Sequence, residues 1–302
     1  MYFPYLRGRQ YELIALRELA EKGIINNKIF PIIEPVTSSS TLLSTVRTLI
    51  DKNINVGLIA NPQVGSFGHK ENKYLKDCVE LLLNDVTPFF IVGNDFSEWV
   101  DVIKRPIEEC GFVFKKRDYI DDYLKLSNNQ DNHLYALIPD EGSYRRVIHK
   151  NRIILSDHFE VKQRNSDYSD DSEVFSEDHL YYEEDGYVGF SDYSIIGNRY
   201  NEGGFLPYCV VIHITYFDDK KRLMIKHFKS DSIDDTSDTA NKFYEAVTKF
   251  VEWNKNKIVD TYASRELERL HAYGLYPGLG TIKKLSLMNH IELICNYLNN
   301  EN

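Results

Sequence analysis

Apolar residues along this chain come in short runs, and the runs recur. "YFPYLR", "KIFPIIEPV", "NVGLIANP", "TPFFIVGND", "HLYALIPDE", "RIILSDHF", "YVGFSDYSII" and "YCVVIHITYF" each hold a compact apolar core. Most are rich in β-branched and aromatic residues and stop at Pro, Gly, Asn or Asp, the pattern of strands buried on both faces. Between several of them the period becomes helical. Tyr11–Lys22 carries Leu13, Leu16, Leu19 and Ala20, and Thr41–Asp51 carries Leu42, Leu43, Val46, Leu49 and Ile50. Tyr74–Leu83 and Glu98–Cys110 show the same spacing.

Eight strands, the early ones separated by helices, predict a parallel sheet covered on both faces. An open doubly wound sheet would announce a glycine-rich phosphate turn after its first strand, and GxGxxG is absent. The prediction is therefore an α/β fold: a TIM-like (β/α)8 barrel whose eighth strand is "YCVVIHITYF".

Two stretches break the alternation. Residues 166–185 contain Asp167, Asp170, Asp171, Glu173, Glu177, Asp178, Glu183, Glu184 and Asp185 with no Lys or Arg, which predicts an acidic surface loop or short irregular helix. Residues 209–229 predict a β-hairpin that adds a strand after strand eight. Residues 238–302 then predict C-terminal helices. The first opens on an Asp cap, the last is the amphipathic "SLMNHIELICNYL", and the shaped turn "GLYPGLG" lies between them.

Composition narrows the class. The 302 residues, 42% hydrophobic and 27% charged, suit a globular protein, and the barrel reading makes them a single domain over 1–302. A net charge of -10 argues against non-specific nucleic-acid binding, while leaving room for a local basic pocket. Cys78, Cys110, Cys209 and Cys295 form no CxxC pair and read as apolar fillers in a reducing compartment. No signal peptide and no long uncharged apolar run is evident. Together these predict a soluble, cytoplasmic protein with no membrane partner.

In a β/α barrel the site forms where the strands end. Those ends carry Arg7, Arg9, Glu34, Asn61, Asp95, Asp140, Asp157, His158, Asp192 and Tyr193, with His213 inside the expected eighth strand. Five carboxylates around one mouth would repel each other by about 3 kcal/mol per pair at ~6 Å and an effective dielectric near 20. They need protons, arginines or a divalent cation. Arg7 and Arg9 are then the partners of these acids or of an anionic ligand beside them. Helix N-capping is the competing role for Asp95, Asp140 and Asp157. Mg²⁺ or Mn²⁺ could sit among such acids, but no compact spacing such as HExxH supports it, and a metal-free salt-bridge network explains the same residues.

"SDHFEVKQRNSDY" adds Asp157, His158, Arg164, Asn165 and Tyr168, which could serve acid–base work, anion binding and ring stacking. Arg164 equally serves to balance the acidic loop. His213 shares a face with Val211 and Thr215 and reads first as a satisfied inner-face histidine. Gly203-Gly204 could let backbone amides approach a phosphate, although a plain loop is the default. GxSxG, Walker A and Cys–His signatures are absent.

"MYFPYLRGRQYELIALREL" followed by "FPIIEPV" resembles the beta protein family of phages and bacteria, as do "GFSDYSIIG", "EGGFLPYCVVIHITYF", "IKHFKSDS" and "MNHIELICNYL" further on. The matching positions are Pro4, Arg7, Glu12, Glu34, Asp192, Tyr193, His213, His227 and His290. The resemblance brings no catalytic role to any of them. It implies an accessory-genome protein acting in phage–host conflict, in a branch often encoded beside a small nuclease-like protein.

The expectation is a strand-end pocket for a phosphorylated or nucleotide-like ligand, with phosphoester hydrolysis as its candidate chemistry. Arg7 and Arg9 would clamp the anion. Glu34, Asp157 and Asp192 would act as acid, base or cation ligands, and Tyr193 would position the ligand. The alternative is a non-catalytic recognition or regulatory subunit that binds a protein partner, such as a nuclease, through its acidic segment.

Overall fold

The computed structural model describes residues 1–37, 39–68, 78, 80–82, 84–94, 96–128, 130–201 and 206–300. Eight parallel strands run in the order β1 (Tyr5–Leu6), β2 (Ile32–Ile33), β3 (Gly57–Ile59), β4 (Thr87–Ile91), β5 (Gly111–Val113), β6 (Tyr135–Ile138), β7 (Arg152–Ser156) and β9 (Gly189–Asp192). The ring closes at the N-terminus. Phe3 N–H donates to the Phe190 carbonyl at 2.8 Å, and Phe190 N–H donates to the Met1 carbonyl at 3.2 Å. This is the predicted TIM-like barrel.

Alternation sets its two faces. Phe3, Tyr5, Phe30, Ile32, Ile59, Phe89, Ile91, Val113, Leu137, Ile153, Leu155 and Tyr193 fill the interior. Leu6, Ile33, Leu58, Phe90, Phe112, Ile138 and Phe190 belong to the larger outer core under the helices. Both faces are apolar, which is why the strands read as continuous runs. Gly57 and Gly111 leave room for Phe89: a Cβ would come within 2.6 Å and 2.2 Å of its ring.

The strand list differs from the expected one in two places. The barrel's fifth strand is Gly111–Val113, which the hydrophobic pattern did not separate from the preceding helix. That helix, α3 (Phe96–Ile103), stops early, and a 3-10 turn at Ile107–Glu109 follows Pro106. "YCVVIHITYF" is not a barrel strand. With β9 paired to β7 on one side and bridged to Tyr2 on the other, the place an eighth strand would take is filled. The run instead forms β10 (Val211–Phe217) of a separate antiparallel sheet ordered β10-β11-β8, with β11 at Leu223–Lys229 and β8 at Glu173–Ser176. The hairpin over 209–229 is thus present, beside the barrel rather than extending it.

The acidic stretch is also more ordered than expected. β8 pairs with β11, and α6 (Asp178–Tyr181) follows. Phe175 and His179 are buried, while Lys229 on β11 reaches Asp170 at 3.3 Å. The counter-charges come from a neighbouring strand, which the local composition did not show.

Around the barrel lie α1 (Gln10–Glu21), α2 (Ser40–Asp51), α4 (Ile120–Leu126) and α5 (Gly142–Arg145). The C-terminal helices are α7 (Thr239–Trp253), α8 (Tyr262–Ala272) and α9 (Leu279–Asn300). Asp238 caps α7 by accepting from Asn241 N–H at 3.1 Å, as predicted. Helix α9 buries residues around most of its circumference, because it packs on α1, α8 and β10 at once. No helix among the described residues is long and apolar enough to cross a membrane. The segment Tyr74–Leu83 lies mostly outside the described residues.

Candidate functional site at the barrel mouth

Side chains two residues beyond an inward-facing strand residue share its direction. Continuing the interior layer past the strand ends therefore selects Arg7 after Tyr5, Glu34 after Ile32, Asn61 after Ile59, Lys115 after Val113 and Asp157 after Leu155. Tyr193, on the same face of β9, already belongs to the interior cluster.

Glu34 is the centre of this layer, with no exposed side-chain surface. Its Oε2 accepts from the Tyr5 hydroxyl at 2.6 Å, pairs with Arg7 Nη1 and lies 3.4 Å from Lys115 Nζ. Its Oε1 accepts from Gln63 N–H at 2.9 Å. Arg7 Nη2 donates to the Asn198 carbonyl at 2.6 Å, while Arg7 Nε is buried without a hydrogen-bond partner. The guanidinium lies over the rings of Tyr5 and Tyr193, 5.4 and 5.5 Å from their centres. Lys115 Nζ is 3.2 Å from the Tyr5 oxygen, and its side chain keeps 25% of its surface exposed.

These contacts shift the protonation equilibria of the mouth. Burial acts to raise the Glu34 carboxyl, but Lys115 and Arg7, with the Tyr5 hydroxyl and Gln63 N–H, outweigh it and hold it below the usual range. Burial pushes Lys115 down to about 8; Glu34 opposes that shift and Arg7 adds to it. Burial raises Asp157 on the exposed rim.

The turn after β1 makes room for this. Gly8 takes φ +63° and passes Ile33, Pro35 and the Glu34 carbonyl so closely that a Cβ would meet them at 3.1–3.3 Å. The turn leaves Arg7 inside and places Arg9 on the rim, where it bonds the Asn201 carbonyl and stacks on Tyr200 at 4.8 Å. Glu12, in the first turn of α1, accepts Arg7 N–H at 2.7 Å and is pushed up to about 7 by burial, against the pull of Arg9.

The mouth brings together Arg7, Glu34, Asn61 and Tyr193, with Asp157 and Arg9 on its rim. Asn61 is already committed: its amide exchanges two 2.8 Å bonds with the backbone of Ile91, extending the ladder between β3 and β4. The remaining expected residues are elsewhere. Asp192 has the opposite parity to Tyr193 and faces outward. There it accepts from Tyr2 OH at 2.6 Å, Ser194 N–H at 2.8 Å and His290 Nε2 of α9 at 3.3 Å. Asp140 also faces outward, pairing with Arg145 and accepting from Tyr187 OH at 2.7 Å. Neither Asp140 nor Asp157 caps a helix: the latter accepts Asn198 N–H at 3.3 Å.

His158 bonds Asp178 at 2.8 Å in the seam between barrel and small sheet. His213 is on β10, where its Nδ1 meets His227 Nδ1 at 2.7 Å between Phe159 and Tyr168. Arg164 is exposed, and its backbone N–H bonds Asp167 at 3.2 Å. Asp95, Gly203 and Gly204 lie outside the described residues.

Sequence reasoning missed Tyr5, Gln63 and Lys115. The signal for Lys115 was present: "GFVFKK" is a short β-rich run with a lysine two residues past its end, obscured by the helical pattern before it. Glu34, Asp157 and Asp192 do not form one ligand set, since Asp192 is on the other side of the barrel wall. Among the described residues no group of three or more His, Cys, Asp or Glu side chains converges as metal ligands. No family model, curated protein or solved structure matches the chain.

Proposed function

We propose that the barrel mouth recognises a small phosphorylated or nucleotide-like anion. The observation that carries this is a charge imbalance in the buried layer: Arg7 and Lys115 share a single carboxylate, Glu34. An unmatched charge away from water is costly, and a phosphate group is its natural counter-ion. Arg7 Nε and the ammonium of the partly exposed Lys115 side chain supply donors, and the Tyr5 and Tyr193 rings supply flat walls. On the rim Arg9 acts on the buried Glu12, and Asp157 lies within electrostatic reach of Arg7 and offsets part of its charge. Phosphoester hydrolysis is not part of the proposal, because the three acids expected to perform it are divided between two faces of the sheet. The resemblance to the beta protein family implies a role for such recognition in phage–host conflict.

Calorimetric titration with inorganic phosphate and nucleoside monophosphates tests this. Lys115→Gln is expected to weaken binding at least about tenfold, the scale of one lost charge-assisted hydrogen bond. Equal binding by both proteins, or none by the wild type, overturns the proposal.

One observation favours a second reading, a partner-binding surface. β8 is an edge strand of the small sheet, and Asp170, Asp171, Glu173, Glu177, Glu183, Glu184 and Asp185 stay exposed on and around it. A basic partner, such as the small nuclease-like protein, fits that edge by strand addition and charge. A complex that weakens as salt is raised and is lost when Asp171 and Glu173 become Lys supports it; an absent complex, or one unchanged by those substitutions, does not.

A further inference from the structure

We propose that Lys115 is a nucleophilic amine that forms an imine with the carbonyl group of an anionic ligand seated in the mouth. This deepens the anion-binding reading by naming the ligand class, and rests on it only for the ligand's negative group. Lys115 projects from the C-terminal end of β5 on the interior face, the position from which barrel side chains reach a substrate. Its surroundings differ from those of a structural lysine. Its side chain is mostly buried, yet 25% of its surface stays open to solvent. Its carboxylate is shared with Arg7, so Glu34, 3.4 Å from Nζ, holds the ammonium only in part, and burial outweighs it. The hydroxyl of Tyr5, 3.2 Å away, is itself bonded to Glu34 at 2.6 Å, giving a short path for a proton away from nitrogen and back.

The chemistry balances without an added reagent. Neutral Nζ donates its lone pair to the carbonyl carbon, and the π pair moves to oxygen, which takes up a proton. The resulting carbinolamine loses that oxygen as water while nitrogen's lone pair closes the C=N bond. In sum, an ammonium and a carbonyl give a protonated imine and one water. The Tyr5 hydroxyl is the group within reach to carry the protons, and Arg7 holds the ligand's anionic end. Desolvation beside Arg7 supports the same role: with the amine pushed down to about 8, roughly a tenth of it is neutral at pH 7, against less than about a thousandth for an ordinary lysine.

Pyridoxal 5′-phosphate, a phosphorylated aldehyde, is the probe. The protein is incubated with it at pH 7, reduced with borohydride and mapped by peptide mass spectrometry, alongside pyridoxal and with inorganic phosphate as competitor. The expected result is modification of Lys115 at least tenfold faster than the median lysine, slowed by phosphate, with a rate that rises through a midpoint near pH 8. Phosphate binding by calorimetry with no preference for Lys115 overturns the imine proposal and leaves the anion site standing. Preferential labelling by both aldehydes, unaffected by phosphate, supports the amine and overturns the anion site.

Discussion

Glu34 and Asp192 look alike in the chain: each is a single acid ending an apolar run, in "IIEP" and "FSDY". Both are buried, at 0% and 3% exposure, and both carboxyls are held below their usual range against the effect of burial. Their surroundings differ in kind. Glu34 faces the barrel axis among two cations and two phenols, one cation being partly open to solvent. Asp192 faces the helices, in a dry network in which His290 also reaches Thr215 at 3.3 Å and the adjacent Asn289 bonds the Thr215 carbonyl at 2.9 Å. One faces the barrel mouth and the other locks α9 and β10 to the barrel wall. Parity along the strand separates them. Tyr193, one residue after Asp192, faces the mouth that Asp192 does not.

The largest test of this contrast is Glu34→Gln. It leaves Arg7 buried without its counter-charge, and chemical denaturation should show a loss of about 3–5 kcal/mol. A loss under about 1 kcal/mol would mean that Arg7 is not held by Glu34. Next comes alkaline pH, read as the difference between the wild type and Lys115→Gln. The lysine amine is depressed in the fold relative to the unfolded chain, so the unfolded state binds more protons between the two values. Its contribution to stability is therefore present above about 10.5 and lost as pH falls through about 8. Relative to Lys115→Gln, the wild type should gain on the order of 2–3 kcal/mol between these limits, reduced by solvent screening at the partly exposed side chain. Parallel stability curves for the two proteins would place Lys115 in water.

Asp192→Asn keeps an acceptor for Tyr2 but removes the charge facing His290. It should cost about 1–3 kcal/mol while leaving phosphate titration and Lys115 labelling unchanged. A change in either would join the two regions that the geometry separates. The smallest effect is expected on the rim. Asp157→Asn should alter stability by less than about 0.5 kcal/mol and strengthen phosphate binding a few-fold, by removing a negative charge within reach of Arg7. Weaker binding would instead make Asp157 a ligand contact.

Much of the barrel could be read from the chain because both faces of its strands are apolar, so burial leaves a continuous mark. Arg7 and Glu34 were visible for the converse reason, charges set against such runs. β5 was hidden because three residues carry too little pattern to separate from the helix before them. His213 was misplaced because an antiparallel hairpin strand with one buried face and an exposed edge resembles a short barrel strand. The acidic segment looked structureless because the lysine that reaches Asp170 and the strand that pairs with β8 come from more than 40 residues later.

By itself, then, the sequence determined the alternating α/β class, the barrel, the C-terminal hairpin and helices, and the presence of charge at the strand ends. Tertiary structure decided which run closes the ring, which acid meets which cation, and that Lys115 belongs to the mouth. Apolar periodicity is a local property, imposed on each element by its own burial. Ring closure and charge pairing depend on which distant segments compete for one edge or one carboxylate, and neighbouring residues hold no record of that competition.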